Sequence, residues 1–140
     1  MFKLSFRVRH KNCFETDLSI KFPKHHITVF DIQSTRPKVK QYFYYITGDS
    51  KKFDAIIEHL NISGGYKLAK EIERSDNTLL LLVVLKQRSY IQDVIQKYNG
   101  FFIDLHTVSE GYEYWHIGVV ERQSIDKILK ELKNMGELKI

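Results

Sequence analysis

Apolar and polar residues alternate from the start of the chain: Phe2, Leu4, Phe6 and Val8 interleave with Lys3, Ser5, Arg7 and Arg9. A period of two is what a strand with one buried face requires, so the segment is predicted as a strand. The period then changes. Phe14, Leu18 and Phe22 fall on one stripe of a short helix that Asn12 caps and Pro23 stops. His25 to Ile32 is a second strand, and the polar connection Gln33 to Lys38 leads to a third, Val39 to Thr47. Gly48-Asp49-Ser50 supplies a turn and cap for a helix from Lys51 to Leu60, where Phe53, Ile56, Ile57 and Leu60 have core spacing. Gly64-Gly65 ends that helix, and Tyr66 to Ile72 is a fourth strand.

After Ser75-Asp76-Asn77 the order begins again. Thr78 to Leu85 is a strand, and Ser89 caps a helix that turns Tyr90, Ile91, Val94, Ile95 and Tyr98 inward. Phe101 to Val108 and Tyr112 to Val120 form a hairpin around the three residues Ser109-Glu110-Gly111. Ser124 caps a last helix with the stripe Ile125, Ile128, Leu129 and Leu132, and Glu137 to Ile140 closes the chain as a strand.

The residues repeat along with the elements. Tyr42-Phe43-Tyr44-Tyr45-Ile46-Thr47-Gly48 matches Tyr112-Glu113-Tyr114-Trp115-His116-Ile117-Gly118, and after a small slip Phe53 to Leu60 matches Ile125 to Leu132. Earlier, Phe14 falls on Tyr90, Phe22 on Tyr98 and Val29 on Leu105. An echo through every element predicts an α+β fold of two tandem ferredoxin-like βαββαβ units, ACT- or RRM-like, with antiparallel sheets over residues 1–75 and 76–140.

Parity then assigns faces. Phe101, Ile103, Leu105, Trp115, Ile117 and Val119 are expected to meet the helices. The open face is expected to carry Phe102, Asp104, His106, Tyr112, Tyr114 and His116, and in the first half Phe30, Tyr42, Tyr44 and Ile46 beside Lys3, Ser5, Arg7 and Arg9. The strand Leu79 to Leu85 is apolar on both parities, so a cover for both of its faces is expected, from the first half or from a second copy of the chain.

Composition narrows the class. The chain has 140 residues, 43% hydrophobic and 28% charged, values that suit a globular fold. The net charge of +5 is compatible with a polyanionic partner without requiring one. One cysteine, Cys13, excludes an internal disulfide and suits a reducing cytoplasm. The start lacks a signal-peptide apolar core, and the longest apolar run, Leu79 to Leu85, is far too short for a membrane span, so a cytoplasmic protein with no membrane partner is expected.

Candidate chemistry is sparse. Asp104, His106 and His116 share the predicted hairpin face, but without the spacing of a metal motif they read as interface residues, and no metal or cofactor is expected. No nucleophile has a base in a recognisable motif, so no enzyme is expected. Gly48, Asp49 and Ser50 form either a helix cap or an anion-binding turn. Tyr42 and Tyr44 beside the basic first strand, with Arg36, Lys38 and Lys40 nearby, give an alternative: a nucleic-acid-binding face that stacks bases on an open sheet.

Three segments carry a family resemblance: Leu4-Ser5-Phe6-Arg7; Tyr44-Tyr45-Ile46-Thr47-Gly48-Asp49 before a helix; and Phe101-Phe102-Ile103-Asp104 leading to Glu110-Gly111-Tyr112-Glu113-Tyr114-Trp115. Together with the closing Ile128-Leu129-Lys130-Glu131-Leu132 helix, they make the whole chain resemble the N-terminal region of archaeal bacterioopsin-activator-type helix-turn-helix regulators. The resemblance implies a non-catalytic regulatory domain that senses a small effector or forms a homodimer, with DNA read by a helix-turn-helix expected beyond residue 140. The resemblance transfers no ligand-binding residue; strand parity places the expected effector or interface face at Phe30, Tyr42, Tyr44, His106, Tyr112, Tyr114 and His116.

Overall fold

A computed structural model describes residues 1–10, 13–30, 41–86 and 90–140. The Asn12 and Ser89 caps and the basic Arg36, Lys38 and Lys40 lie outside the described residues. In chain order the elements are β1 (Phe2–His10), α1 (Phe14–Lys21), β2 (His26–Phe30), β3 (Gln41–Thr47), α2 (Phe53–Ile62), β4 (Tyr66–Arg74) and β5 (Thr78–Leu85). Then come α3 (Tyr90–Lys97), β6 (Phe101–Phe102), β7 (His106–Ser109), β8 (Tyr112–Val119), α4 (Arg122–Lys133) and β9 (Gly136–Lys139). The α+β class is as the periodicities indicate.

The strands make one antiparallel sheet in the order β4-β5-β3-β2-β7-β8-β1-β9, with β6 beside β8. Two strands cross the midpoint of the chain. β1 pairs with β8, Phe6 opposite Trp115, and with β9, Val8 opposite Leu138. β5 pairs with β3, Leu81 opposite Tyr44, and with β4. Ser75 to Asn77, expected to separate two units, is the turn of the β4–β5 hairpin, where the Ser75 amide donates to the Thr78 carbonyl at 2.9 Å. β2 and β7 then join the two parts of the sheet through Val29 opposite His106.

Among the described residues, the four helices cover the same face. One core packs α1 and α2, through Leu18, Phe22, Phe53, Ile56 and Leu60, on β2, β3, β4 and β5. The other packs α3 and α4, through Ile91, Val94, Ile95, Ile128 and Leu132, on β1 and β8. Each core therefore takes a strand from the far half of the sequence: Leu79, Leu81 and Val83 in the first, Leu4, Phe6 and Val8 in the second.

Several face assignments need correction. Tyr42 and Tyr44, expected on the open face, are 3% and 0% exposed and belong to the helix-covered core, as does Ile46. Residues directly opposite in a ladder share a face, and β3 sets Tyr44 against Val29 and Ile46 against Ile27. The match of Tyr42 to Tyr112 carried residue type and lost the phase of the pleat.

His106 needs correction as well. It is 4% exposed and faces the helices, because the hairpin turn has two residues, Glu110 (φ 53°) and Gly111 (φ 83°), and pairs Ser109 with Tyr112. The expected three-residue turn would place Val108 opposite Tyr112; instead Val108 lies opposite Glu113. A slip of one residue turns every side chain to the other face. Phe102 pairs in a different register, opposite Ile117, and packs on Trp115 on the helix side. Ile103-Asp104-Leu105 leaves the ladder, which splits the predicted strand into β6 and β7.

On β5 the odd-numbered residues from Leu79 to Leu85 are buried, whereas Leu80, Leu82 and Val84 are only half-buried on the open face. Among the described residues, the first half of the chain extends the sheet sideways and does not cover that face.

Candidate functional site

The sheet centre carries an unusual row. From β5 to β1, the positions facing the helices run Leu81, Tyr44, Val29, His106, and then Trp115 opposite Phe6. Neighbouring this row, Glu113 lies opposite both Val108 and Val8. α1 lies across it and presents Glu15, Thr16, Leu18 and Ser19 inward, so a helix with a polar inner face sits on strands bearing a carboxylate and an imidazole.

The polar groups satisfy one another. Glu15 Oε1 accepts from the Tyr44 hydroxyl at 2.8 Å, and that hydroxyl lies 2.9 Å from the Tyr66 hydroxyl. Glu15 Oε2 is 3.4 Å from His106 Nε2. The His106 ring stacks on the indole of Trp115, centroids 3.9 Å apart and 11° between planes. Trp115 Nε1 donates to Glu113 Oε2 at 3.2 Å, and Cys13 Sγ donates to Glu113 Oε1 at 3.3 Å. None of these residues is more than 7% exposed.

Burial dominates the electrostatics, because a low-dielectric interior disfavours the charged form of an acid. Glu15 is held above the usual carboxyl range by burial and by the charge of Glu113, against the opposing contacts from His106 and Tyr44. Burial, with Glu113 and Glu15 nearby, also pushes the Cys13 thiol far up. Tyr44 and Tyr66 are raised by burial and by Glu15.

Among the described residues, ligand atoms of Glu15, His106 and Glu113 all lie within 4.8 Å of one another, so these three could hold a metal ion. The donor types suit zinc or a similar divalent ion. In the arrangement described, the same atoms are already engaged in hydrogen bonds, and the cluster locks α1 to both parts of the sheet.

The residues singled out from sequence divide between the two faces. Tyr42, Tyr44 and His106 lie under the helices. Phe30, stacked on Phe43 at 6.0 Å, lies on the open face with half-buried Tyr112 and Tyr114 and exposed His116. Asp104 and His116 line one small surface pocket without His106, which lies under the helices; Asp104 Oδ1 accepts from the Leu105 amide, and His116 Nδ1 lies 2.8 Å from Ser5 Oγ. In the Gly48-Asp49-Ser50 turn, Asp49 Oδ1 accepts from the Lys51 amide, the geometry of a cap.

On the open face, Tyr112 is surrounded by cations: Arg7 and Arg9 lie 4.8 and 4.4 Å from its ring centroid, and Lys139 5.8 Å. Glu137 accepts a hydrogen bond from Tyr112 and is held below the usual carboxyl range by it and by Lys139.

Glu15 and Glu113 were not singled out from the sequence. Glu113 left a signal, since it shares parity with Trp115 and Ile117, and a carboxylate on the core parity of a strand needs a buried partner. Glu15 left less, being an acidic residue in the first turn of a helix, where such residues are common at the surface.

Among the described residues no helix is long and apolar enough to cross a membrane. No curated protein matches the chain. A family model described as HVO_2525_N, N-terminal, matches residues 3–138, and the chain belongs to that family.

Proposed function

We propose that this chain is a non-catalytic regulatory domain of an archaeal transcription regulator, acting by effector sensing, dimerisation or both, with DNA read by a helix-turn-helix outside these residues. The matching family is described as an N-terminal region, which fits a module that works beside another domain. The observation that carries the reading is the division of the sheet's two faces. The groups best suited to chemistry, Glu15, Glu113, Cys13 and His106, are sealed under the helices, which fits no catalytic role. The other face is left for a partner, with Phe30, Phe43, Leu80, Leu82 and Val84 half-buried at one end and exposed Tyr45 among them. An isologous contact between two such faces is the simplest way to cover them.

In this reading the fold is two ferredoxin-like units that have exchanged their first strands. The orders β4-β5-β3-β2 and β9-β1-β8-β7 each place a first strand between a third and a fourth, as such a unit does, but the first strand comes from the other half.

The test is light scattering on the purified chain over a range of concentrations, with Leu82→Lys as the variant. A dimer that Leu82→Lys dissociates is expected. A monomer at high concentration removes dimerisation from the proposal, and a dimer indifferent to Leu82→Lys removes this face as its interface.

A second reading, nucleic-acid binding, is favoured by Arg7, Arg9 and Lys139 around Tyr112 on the open face beside Tyr114. Cationic strands with half-exposed aromatic rings suit stacked bases. Tyr42 and Tyr44, the residues first suggested for this role, are buried and do not take part. Titration with single-stranded RNA and duplex DNA at moderate salt separates the readings: the regulatory reading expects almost no affinity from this domain alone.

A further inference from the structure

A cleft of about 750 Å³ opens between the end of α1 and the outer side of α2, within the size range of small-molecule sites. We propose that it binds a small organic anion, an apolar body bearing a phosphate, carboxylate or sulfonate group. The inference deepens the effector-sensing reading by naming the effector's class, and it rests on that reading only for the regulatory consequence.

The floor of the cleft is built, not incidental. His25 is 5% exposed, and its Nε2 lies 2.9 Å from the Asp49 carbonyl oxygen. Its ring meets Phe22 and Phe53 edge to face, centroids 6.2 and 6.0 Å away. Gly48 makes this approach feasible: a Cβ there would lie 2.4 Å from His25 Cδ2, and its φ of 150° is one that side-chain-bearing residues rarely adopt. Phe22, Pro23, Ala55 and Ile62 provide the apolar lining.

The polar lining is cationic at its edge. Lys21, Lys24 and Lys52 face the cleft against Asp49 and Glu58, and the Asp49 carboxylate is already engaged by the Lys51 amide. Among the described residues, none of the three lysines has a carboxylate within ion-pair distance. Lys21 Nζ instead lies 3.4 Å from His59 Nδ1. Partial burial and the Lys21 charge hold His59 below its ordinary range, against the opposing charge of Asp17. Ammonium groups without carboxylate partners over an apolar floor match a molecule that carries both complements.

The probe is anilinonaphthalene sulfonate, titrated by fluorescence against the full chain. The comparison is N-phenylnaphthylamine, which has the same rings without the anion. Saturable binding of the sulfonate is expected, weakened about tenfold in the Lys21→Gln/Lys52→Gln double variant, with little change for the neutral amine. Both lysines are exposed, so Trp115 emission is expected to stay native in that variant. The inference is overturned by absence of saturable binding, by equal affinity for the neutral amine, or by loss of binding in Leu82→Lys but not in the lysine variant. Those results leave the dimer of the regulatory reading standing, because its test does not involve the cleft.

Discussion

A fragment of residues 76–140 keeps α3, α4, β8 and β9 but loses β1, the strand that lies between β8 and β9. Leu4, Phe6 and Val8 go with it, all buried and all part of the core around Trp115. At ~1.5–3 kcal/mol for each buried apolar side chain, the loss is roughly 5–9 kcal/mol before counting the ladder from Phe2 opposite Val119 to Val8 opposite Glu113. A whole domain is stable by only about 5–15 kcal/mol, so the fragment is expected to be unfolded. The reciprocal fragment, residues 1–75, loses β5 and with it Leu79, Leu81 and Val83 from the other core. Mixed in equal amounts, the two fragments are expected to fold together, since each carries the strand that the other lacks. Trp115 is the sole tryptophan, buried and stacked on His106, and its emission together with near-ultraviolet dichroism reports the outcome. Native emission and cooperative unfolding from residues 76–140 alone would refute the strand exchange. Failure of the mixture while each half folded separately would refute it equally.

Other consequences are open to simpler assays. Phe6→Ala, which empties the position opposite Trp115, is expected to cost about 3–5 kcal/mol in denaturant melts and to red-shift tryptophan emission, although Phe6 belongs to the opposite end of the sequence. Burial raises Glu15 above its ordinary value of 4.5, so at intermediate pH the folded state binds a proton that the unfolded state has released. Stability should therefore fall as pH rises from about 4.5 until the folded-state value is passed, and Glu15→Gln should flatten that limb in denaturant melts across the pH series. A pH-independent wild type, or a variant with the same slope, would count against the assignment. Gly111→Ala puts a side chain at φ 83° with its Cβ 2.8 Å from Arg9 Nη2, and a loss of roughly 1–2 kcal/mol in thermal or chemical unfolding is expected. Cys13 is buried with its thiol pushed far up, so alkylation by iodoacetamide should proceed only through unfolding. Rapid labelling under native conditions would contradict its burial.

Much of this molecule was legible along the chain. Alternation at Phe2 to Val8 and the stripes Phe53-Ile56-Leu60 and Ile128-Leu132 identify strand and helices, since local sterics and one-sided burial act over a few residues at a time. The open positions Tyr112, Tyr114 and His116 were legible too, because Trp115 and Ile117 mark the buried parity of their strand. Glu113 was legible in principle on the same ground.

Pairing across the chain was not. Which strand lies beside β8 depends on contacts between segments about a hundred residues apart, and local patterning does not distinguish one apolar strand from another as its neighbour. The turn at Glu110-Gly111 decided the fate of His106: a two-residue connection moved the register by one and carried the imidazole from the open face to the indole of Trp115. Glu15 meets His106 only because α1 crosses the seam where β2 joins β7. The sequence by itself determined the elements and the side on which most of them are greasy. The tertiary structure alone decided the partners, because register and strand order are set by the summed burial of residues far apart in the chain.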